Sequence, residues 1–250
     1  MKNFMLECCV DSVESAVAAQ KGGADRLELC SDLIIGGTTP GINLFLAVRQ
    51  KVSIKIHVLI RPRFGDFCYT DEEFSIMKKD VEMFRRNGAD GMVIGALKRD
   101  GSLDVGRMKE LVSAAGDMSI TLHRAFDVCR DPFQTLEEAK ALGIRTILTS
   151  GQKNNCLDGK DLIRQLVEKA GDEIDIMVGG GVRYTNIKEL AKATNAKSFH
   201  MSGKVEVDSA MIYRNKDVNM GLPMLSEYTI FRTDEKEVAK VRDILCSYEP

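Results

Sequence analysis

The sequence predicts an α/β fold: one (β/α)8 barrel of the TIM type, and three observations carry that prediction. The chain has 250 residues, the ordinary size of a single such barrel. Helices hand over to short apolar strands through a repeated signal, a glycine or asparagine that tolerates the left-handed conformation. It occurs as Gly23-Ala24-Asp25, Gly88-Ala89-Asp90, Leu142-Gly143-Ile144 and Asn195-Ala196-Lys197, at successive offsets of 65, 55 and 52 residues. Each offset is about two βα units, at roughly 30 residues or more per crossover. Finally, another apolar run precedes each handover, which brings the strand count to eight. A doubly wound open sheet is the alternative, but its nucleotide fingerprint opens at the first turn, and Cys9-Val10-Asp11-Ser12 has no glycine there.

Taken in order, the odd strands are Met5–Val10, 55–60, 119–123 and Asp175–Val178, and the even ones follow the four handovers at 26, 91, 146 and 198. The third strand ends at Arg61-Pro62-Arg63, where proline stiffens the exit. Helical spacing of apolar residues joins the strands, as in Phe74, Met77, Val81, Phe84 and in Leu162, Ile163, Leu166, Val167. The eighth unit departs from the rhythm. A core of 4–202 is followed by a predicted long loop, 203–232, of the length that usually forms a lid or mobile segment. A closing helix, 233–248, has Thr233 or Asp234 as cap and Val238, Val241, Ile244 and Leu245 on one face. The whole, 1–250, is expected to be one domain.

Thirty-five basic against 37 acidic residues give a net charge of −2, leaving no long-range field to attract nucleic acid or an anionic membrane, and neither partner is expected. The first residues lack the apolar stretch of a secretory signal, and no run approaches the roughly 18 apolar residues of a span, so a cytoplasmic location is expected. Seven cysteines at 8, 9, 30, 68, 129, 156 and 246 fit neither a disulfide framework nor a zinc ribbon. Any metal chemistry must use cysteines that folding brings together.

Alternation along the first two strands separates Leu6, Cys8, Val10, Leu27 and Leu29 from Glu7, Cys9, Arg26, Glu28 and Cys30. The apolar set is expected to face the helices and the other the barrel interior. An unpaired buried carboxylate costs several kcal/mol, so Glu7 and Glu28 require partners, with Arg26, Lys55, His57, Arg61 and His123 available. One reading is an ionic plug of Glu7, Arg26 and Lys55 in the barrel floor. The other is a functional site at the mouth, since ligands gather beyond the carboxyl ends of barrel strands. All three histidines, His57, His123 and His200, lie in or at the end of apolar runs. Glu28, His57, Arg61, His123, Arg124 and Asp127 form a candidate general acid/base set with forked donors for a carboxylate or phosphate. Gly179-Gly180-Gly181 after the seventh strand, with Arg183 close by, and Ser202-Gly203 after the eighth form a candidate anion site of backbone amides.

The exits Thr149-Ser150-Gly151 and Gly180-Gly181-Val182-Arg183 resemble those of lysine aldolases of the deoxyribose-phosphate type. Leu148 and Met177 stand where their amine is expected, which argues against Schiff-base chemistry. A wider set of motifs resembles the CutC family: Leu6-Glu7-Cys8-Cys9-Val10-Asp11-Ser12, Gly22 to Ser31, Gly36-Gly37-Thr38-Thr39-Pro40, Ile60 to Phe67, His123-Arg124-Ala125-Phe126-Asp127 and Leu148-Thr149-Ser150-Gly151. That likeness runs from the first strand to about Ser202. It implies a TIM-type barrel, a cytoplasmic homo-oligomer, a link to copper homeostasis, and copper(I) ligands at Cys9 and Cys30. Soft thiolates suit copper(I), although cysteine is also commonly buried without a special role. Cys8 faces the helices and is not counted as a ligand.

Two functions compete. The first is a copper-binding homeostasis protein holding copper(I) on Cys9 and Cys30. The second is an enzyme that binds a small anionic, for instance phosphorylated, metabolite in the Glu/His/Arg/Asp cup. A sensing or scaffold role on the same fold is a third.

Overall fold

The computed structural model describes residues 4–215, 217–222 and 225–248. Eight parallel strands, β1 (Met5–Val10), β2 (Arg26–Leu29), β3 (Lys55–Leu59), β4 (Gly91–Ile94), β5 (Ser119–Leu122), β6 (Thr146–Thr149), β7 (Asp175–Val178) and β8 (Ser198–Met201), pair in sequence order. The ring closes where β1 pairs with β8, Glu7 opposite His200. Around it lie α1 (Val13–Lys21), α2 (Ile42–Arg49), α3 (Asp71–Arg86), α4 (Val105–Ala115), α5 (Pro132–Ala141), α6 (Lys160–Ala170), α7 (Ile187–Thr194) and α8 (Glu235–Ser247). This is the predicted (β/α)8 barrel. Among the described residues, no helix is long and apolar enough to cross a membrane.

Local chemistry accounts for the elements. Helix α3 starts in a capping box, Thr70 accepting from the Glu73 amide while Glu73 accepts from the Thr70 amide. Acids fill its first turn, arginines its last, and Phe74, Met77, Val81 and Phe84 form the buried stripe. Asp131 caps α5 with Pro132 at its first position. Helix α7 ends on Asn195 in the left-handed conformation. Leu6, Cys8, Val10, Leu27 and Leu29 join the main core under the helices, whereas Cys30, Leu59 and Val93 form a small separate cluster.

The expected loop is present between 209 and 228 among the described residues, but the two ends of the segment 203–232 carry regular structure. Strand β9 (Lys204–Asp208) pairs antiparallel with β10 (Thr229–Thr233) in a ribbon standing on the barrel. Its base is anchored where the Thr233 amide donates to Ser15 Oγ at 3.0 Å and the Thr233 hydroxyl to the Ser202 carbonyl at 3.0 Å. Most of β9 is exposed, so its alternation encodes pairing without burial, the weakest strand signal a sequence carries. Asp234 caps α8, accepting from the Lys236 and Glu237 amides.

Candidate functional site

A cavity of about 630 Å³ opens at the carboxyl end of the barrel. Of the residues singled out in the sequence, Cys9, Glu28, Arg61, His123, Arg124, Asp127, Gly180, Gly181, Ser202 and Gly203 line it. His57, Cys30 and Gly179 do not. His200, Phe67, Leu148, Arg183 and Lys204 also line it.

Beneath it, the interior faces of β1, β2 and β8 form a charged floor. Arg26 donates to Glu7 Oε2, and His200 Nδ1 lies 2.8 Å from Glu7 Oε1. Burial would raise the Glu7 carboxyl, but the Arg26 charge and the His200 hydrogen bond outweigh it and hold the group down to about 2. Glu28 Oε2 is 3.9 Å from His200 Nδ1 and has no hydrogen-bond partner among the described residues. Burial lifts Glu28 from 4.5 to about 7; the Glu7 charge adds to the rise, and His200 and Arg26 oppose it without cancelling it. Burial disfavours the His200 imidazolium, yet the Cys9 sulfur, Glu28 and Glu7 around it keep it protonated, its pKa well above 6.5. The ionic plug thus exists with a different membership. Lys55 is exposed at the start of β3, and His200 takes the place expected for it.

His57 belongs to the floor. It is 1% exposed, and Gly91 lacks a side chain where a Cβ would sit 2.5 Å from the ring. Burial, with Arg26 close by, lowers it to about 4, so it is neutral at pH 7. His123 is on the cavity. Its Nδ1 accepts the Ala125 amide at 3.1 Å, which leaves the proton on Nε2, a buried donor with no partner. Burial and the Arg61 charge lower it to about 3.

Arg61 has carbonyl partners only. Nη1 donates to Gly36 and Gly37, Nη2 to Gly65 at 2.8 Å, and Nε has no partner among the described residues. Its guanidinium lies 5.0 Å from the Phe67 ring centre, and the His123 ring 4.8 Å from the same phenyl. Burial lowers its pKa, although an arginine remains charged. Asp127, by contrast, is saturated. It pairs with Arg124 Nε at 2.6 Å and accepts from Thr149 Oγ1, the Ser150 amide and hydroxyl, and the Gln152 amide. It positions Arg124 and the β6 exit and has no lone pair left for a substrate proton.

In the glycine run, the Gly179 amide donates to the Thr149 carbonyl at 2.9 Å and is occupied. Gly180 and Gly181, at φ of 90° and 97°, donate to no protein acceptor among the described residues. Cys9 and Cys30 lie on adjacent strands, and since Cys9 pairs with Glu28 the two cysteines are diagonal neighbours. Cys9 Sγ donates to the Met201 carbonyl and Cys30 Sγ to the Val10 carbonyl, each at 3.6 Å. Cys30 is sealed behind Gly37 and Leu59. Burial first, then the neighbouring Cys9, pushes its thiol well above 9. The pair has the donor type copper(I) prefers, although loading would have to displace the Cys30 proton. Glu7, Glu28 and His200 each offer one ligand atom within 4.8 Å of the others, but the Arg26 and His200 cations already neutralise that trio.

Fold and site define a class: a (β/α)8 barrel with a polar cavity at its carboxyl end. The CutC family model matches residues 4–205, and the chain belongs to the CutC family. A copper homeostasis protein cutC homolog of Mus musculus is 44% identical over 242 residues, covering 96% of this chain and 88% of that protein. A family protein CutC of Bacteroides fragilis is 45% identical over 240 residues, covering 95% and 96%. The crystal structure of CutC from Streptococcus agalactiae superposes with a TM-score of 0.75 at 31% identity, over 80% of this chain and 98% of that one.

Proposed function

We propose that the cavity binds a small anionic metabolite and exchanges a proton with it, Glu28 being the proton-transfer group. The observation that carries this reading is that three residues lining one cavity, Glu28, Arg61 and His123, each keep a buried polar atom, Oε2, Nε and Nε2, without a partner among the described residues. Unmet buried polar groups cost about 1–3 kcal/mol each, more when charged, and cluster where a ligand completes them. A carboxyl raised to about 7 is close to half-ionised at neutral pH, the condition that suits a general acid or base. Arg61 and His123 supply donors to the ligand, Arg124 is held ready by Asp127, and His57 supports the floor.

Thermal stabilisation by fractionated anionic metabolites, sugar phosphates and small carboxylates first, tests this. At a hundredfold excess over Kd a ligand adds about 2.7 kcal/mol, or about 5–10 °C for a chain of this size. The wild type should shift and His123→Ala should not. Equal shifts in both, or none with any anion, would refute it.

A second reading, copper(I) held by Cys9 and Cys30, has support from the names of the mammalian relatives and the adjacency of the two thiols. Anaerobic copper(I) titration should then give one equivalent for the wild type and none for Cys9→Ser. Equal stoichiometry removes the cysteine pair as the site. Cytoplasmic residence and self-association belong to both readings. The second is supported by the exposed apolar side chains of Met211, Ile212, Tyr213 and Met220 beside the ribbon.

A further inference from the structure

The unsatisfied donors of the cavity fall into two groups on opposite walls. Arg61 follows β3 and His123 follows β5, and both rest on Phe67 with an N–H that no protein atom accepts. Gly180 and Gly181 follow β7 and Lys204 follows β8, all lining the same cavity. The Arg124 guanidinium carbon stands 3.5 Å from where a Cβ on Gly180 would be, so charge is brought against the bare backbone. In the closed ring β1 to β8, strand β3 is diametrically opposite β7, and β4 opposite β8. Arg61 at the β3 exit therefore faces Gly180 and Gly181 at the β7 exit across the opening, with His123 and Arg124 at the β5 exit between them.

Between them Glu28 Oε2 is unpartnered over a floor where Glu7 is offset by Arg26 and His200, while the other lining carboxylates are tied up, Asp127 by Arg124 and Glu237 by Lys240. The cavity thus offers free donors at its two ends and an unpartnered carboxyl at its centre. We infer that the cavity takes a ligand with two anionic groups, phosphate or carboxylate, at the ends of an uncharged, hydroxyl-bearing chain. One anion meets Arg61 and His123. The other meets the Gly180 and Gly181 amides with Arg124 and Lys204, and the central hydroxyl or carbonyl lies over Glu28. The inference rests on the anion-binding reading above and deepens it, naming the substrate class.

The test is calorimetric titration of the full chain with bisphosphates of straight-chain diols of increasing length, against the monophosphates of the same diols. At the matching length the bisphosphate should bind at least about tenfold more tightly than its monophosphate, the effect of one additional charge-assisted contact. Arg61→Gln should bring the bisphosphate down to the monophosphate level. Because Arg61 also ties loops together, Lys204→Ala, at an exposed position, is the second variant and should weaken the bisphosphate by about threefold to tenfold. Equal affinity of mono- and bisphosphate at every length would overturn the two-ended ligand and leave a single anion site standing. Failure of both series to bind would remove the anion-binding reading as well.

Discussion

Replacing Glu28 by glutamine should make the protein more stable at alkaline pH and leave it nearly unchanged at acid pH, although the substitution removes a buried side chain's charge from an ionic cluster. A carboxyl moved from 4.5 to about 7 binds its proton more tightly folded than unfolded. Its stabilisation is complete below 4.5 and is lost as the pH climbs through 7. The full loss is about 3 kcal/mol, of which about 2.5 falls between pH 5 and pH 8. Glutamine has the same shape and no ionised form, so Glu28→Gln escapes that loss. His57 and His123 run the other way. Lowered to about 4 and about 3, they contribute stability above 6.5 that disappears as pH falls, but they titrate in both proteins and cancel in the difference. Urea unfolding at pH 5 and pH 8 measures that difference. At a slope of about 2–3 kcal/mol/M, the midpoint of the variant should gain about 1 M on the wild type between the two conditions. A constant gap from pH 5 to pH 8 would show that Glu28 titrates normally and is no proton-transfer group.

Glu7→Gln should behave oppositely, costing about 3–5 kcal/mol at pH 7, because it removes the counter-charge of the buried Arg26 and His200 cations; a loss under about 1 kcal/mol by urea midpoint would contradict the pairing described. Gly91→Ala drives a methyl to 2.5 Å from His57 and should cost about 1–3 kcal/mol by overpacking, without changing ligand affinity, since His57 is off the cavity. A fall in affinity equal to that of His123→Ala would place His57 in the site after all.

The barrel was legible because its signals are local and repeated. Each handover places a glycine or asparagine before a short apolar strand, and alternation along β1 and β2 sends Glu7, Cys9 and Glu28 inward. Of the partners of Glu7, Arg26 was legible and His200 was not. His200 meets it only because the ring closes between β1 and β8, a contact 193 residues apart in sequence. Lys55, expected as the third member of the plug, sits instead at the solvent-facing start of β3. The depth of His57 was hidden for a related reason. It pairs with Glu28 in register, yet tilted strands set paired residues at different heights, and the ring fills the space Gly91 leaves in the floor while Glu28 reaches the cavity. The ribbon of β9 and β10 escaped notice because neither strand buries a continuous face.

The central claim is that the carboxyl-end cavity is an anion site. A crystal structure determined at high phosphate concentration tests it most directly. The account predicts phosphate density within hydrogen-bond distance of the Gly180 and Gly181 amides beside Arg124, with the Gly179 amide still bonded to Thr149. A cavity holding only water under those conditions, with phosphate bound elsewhere on the surface, would contradict it.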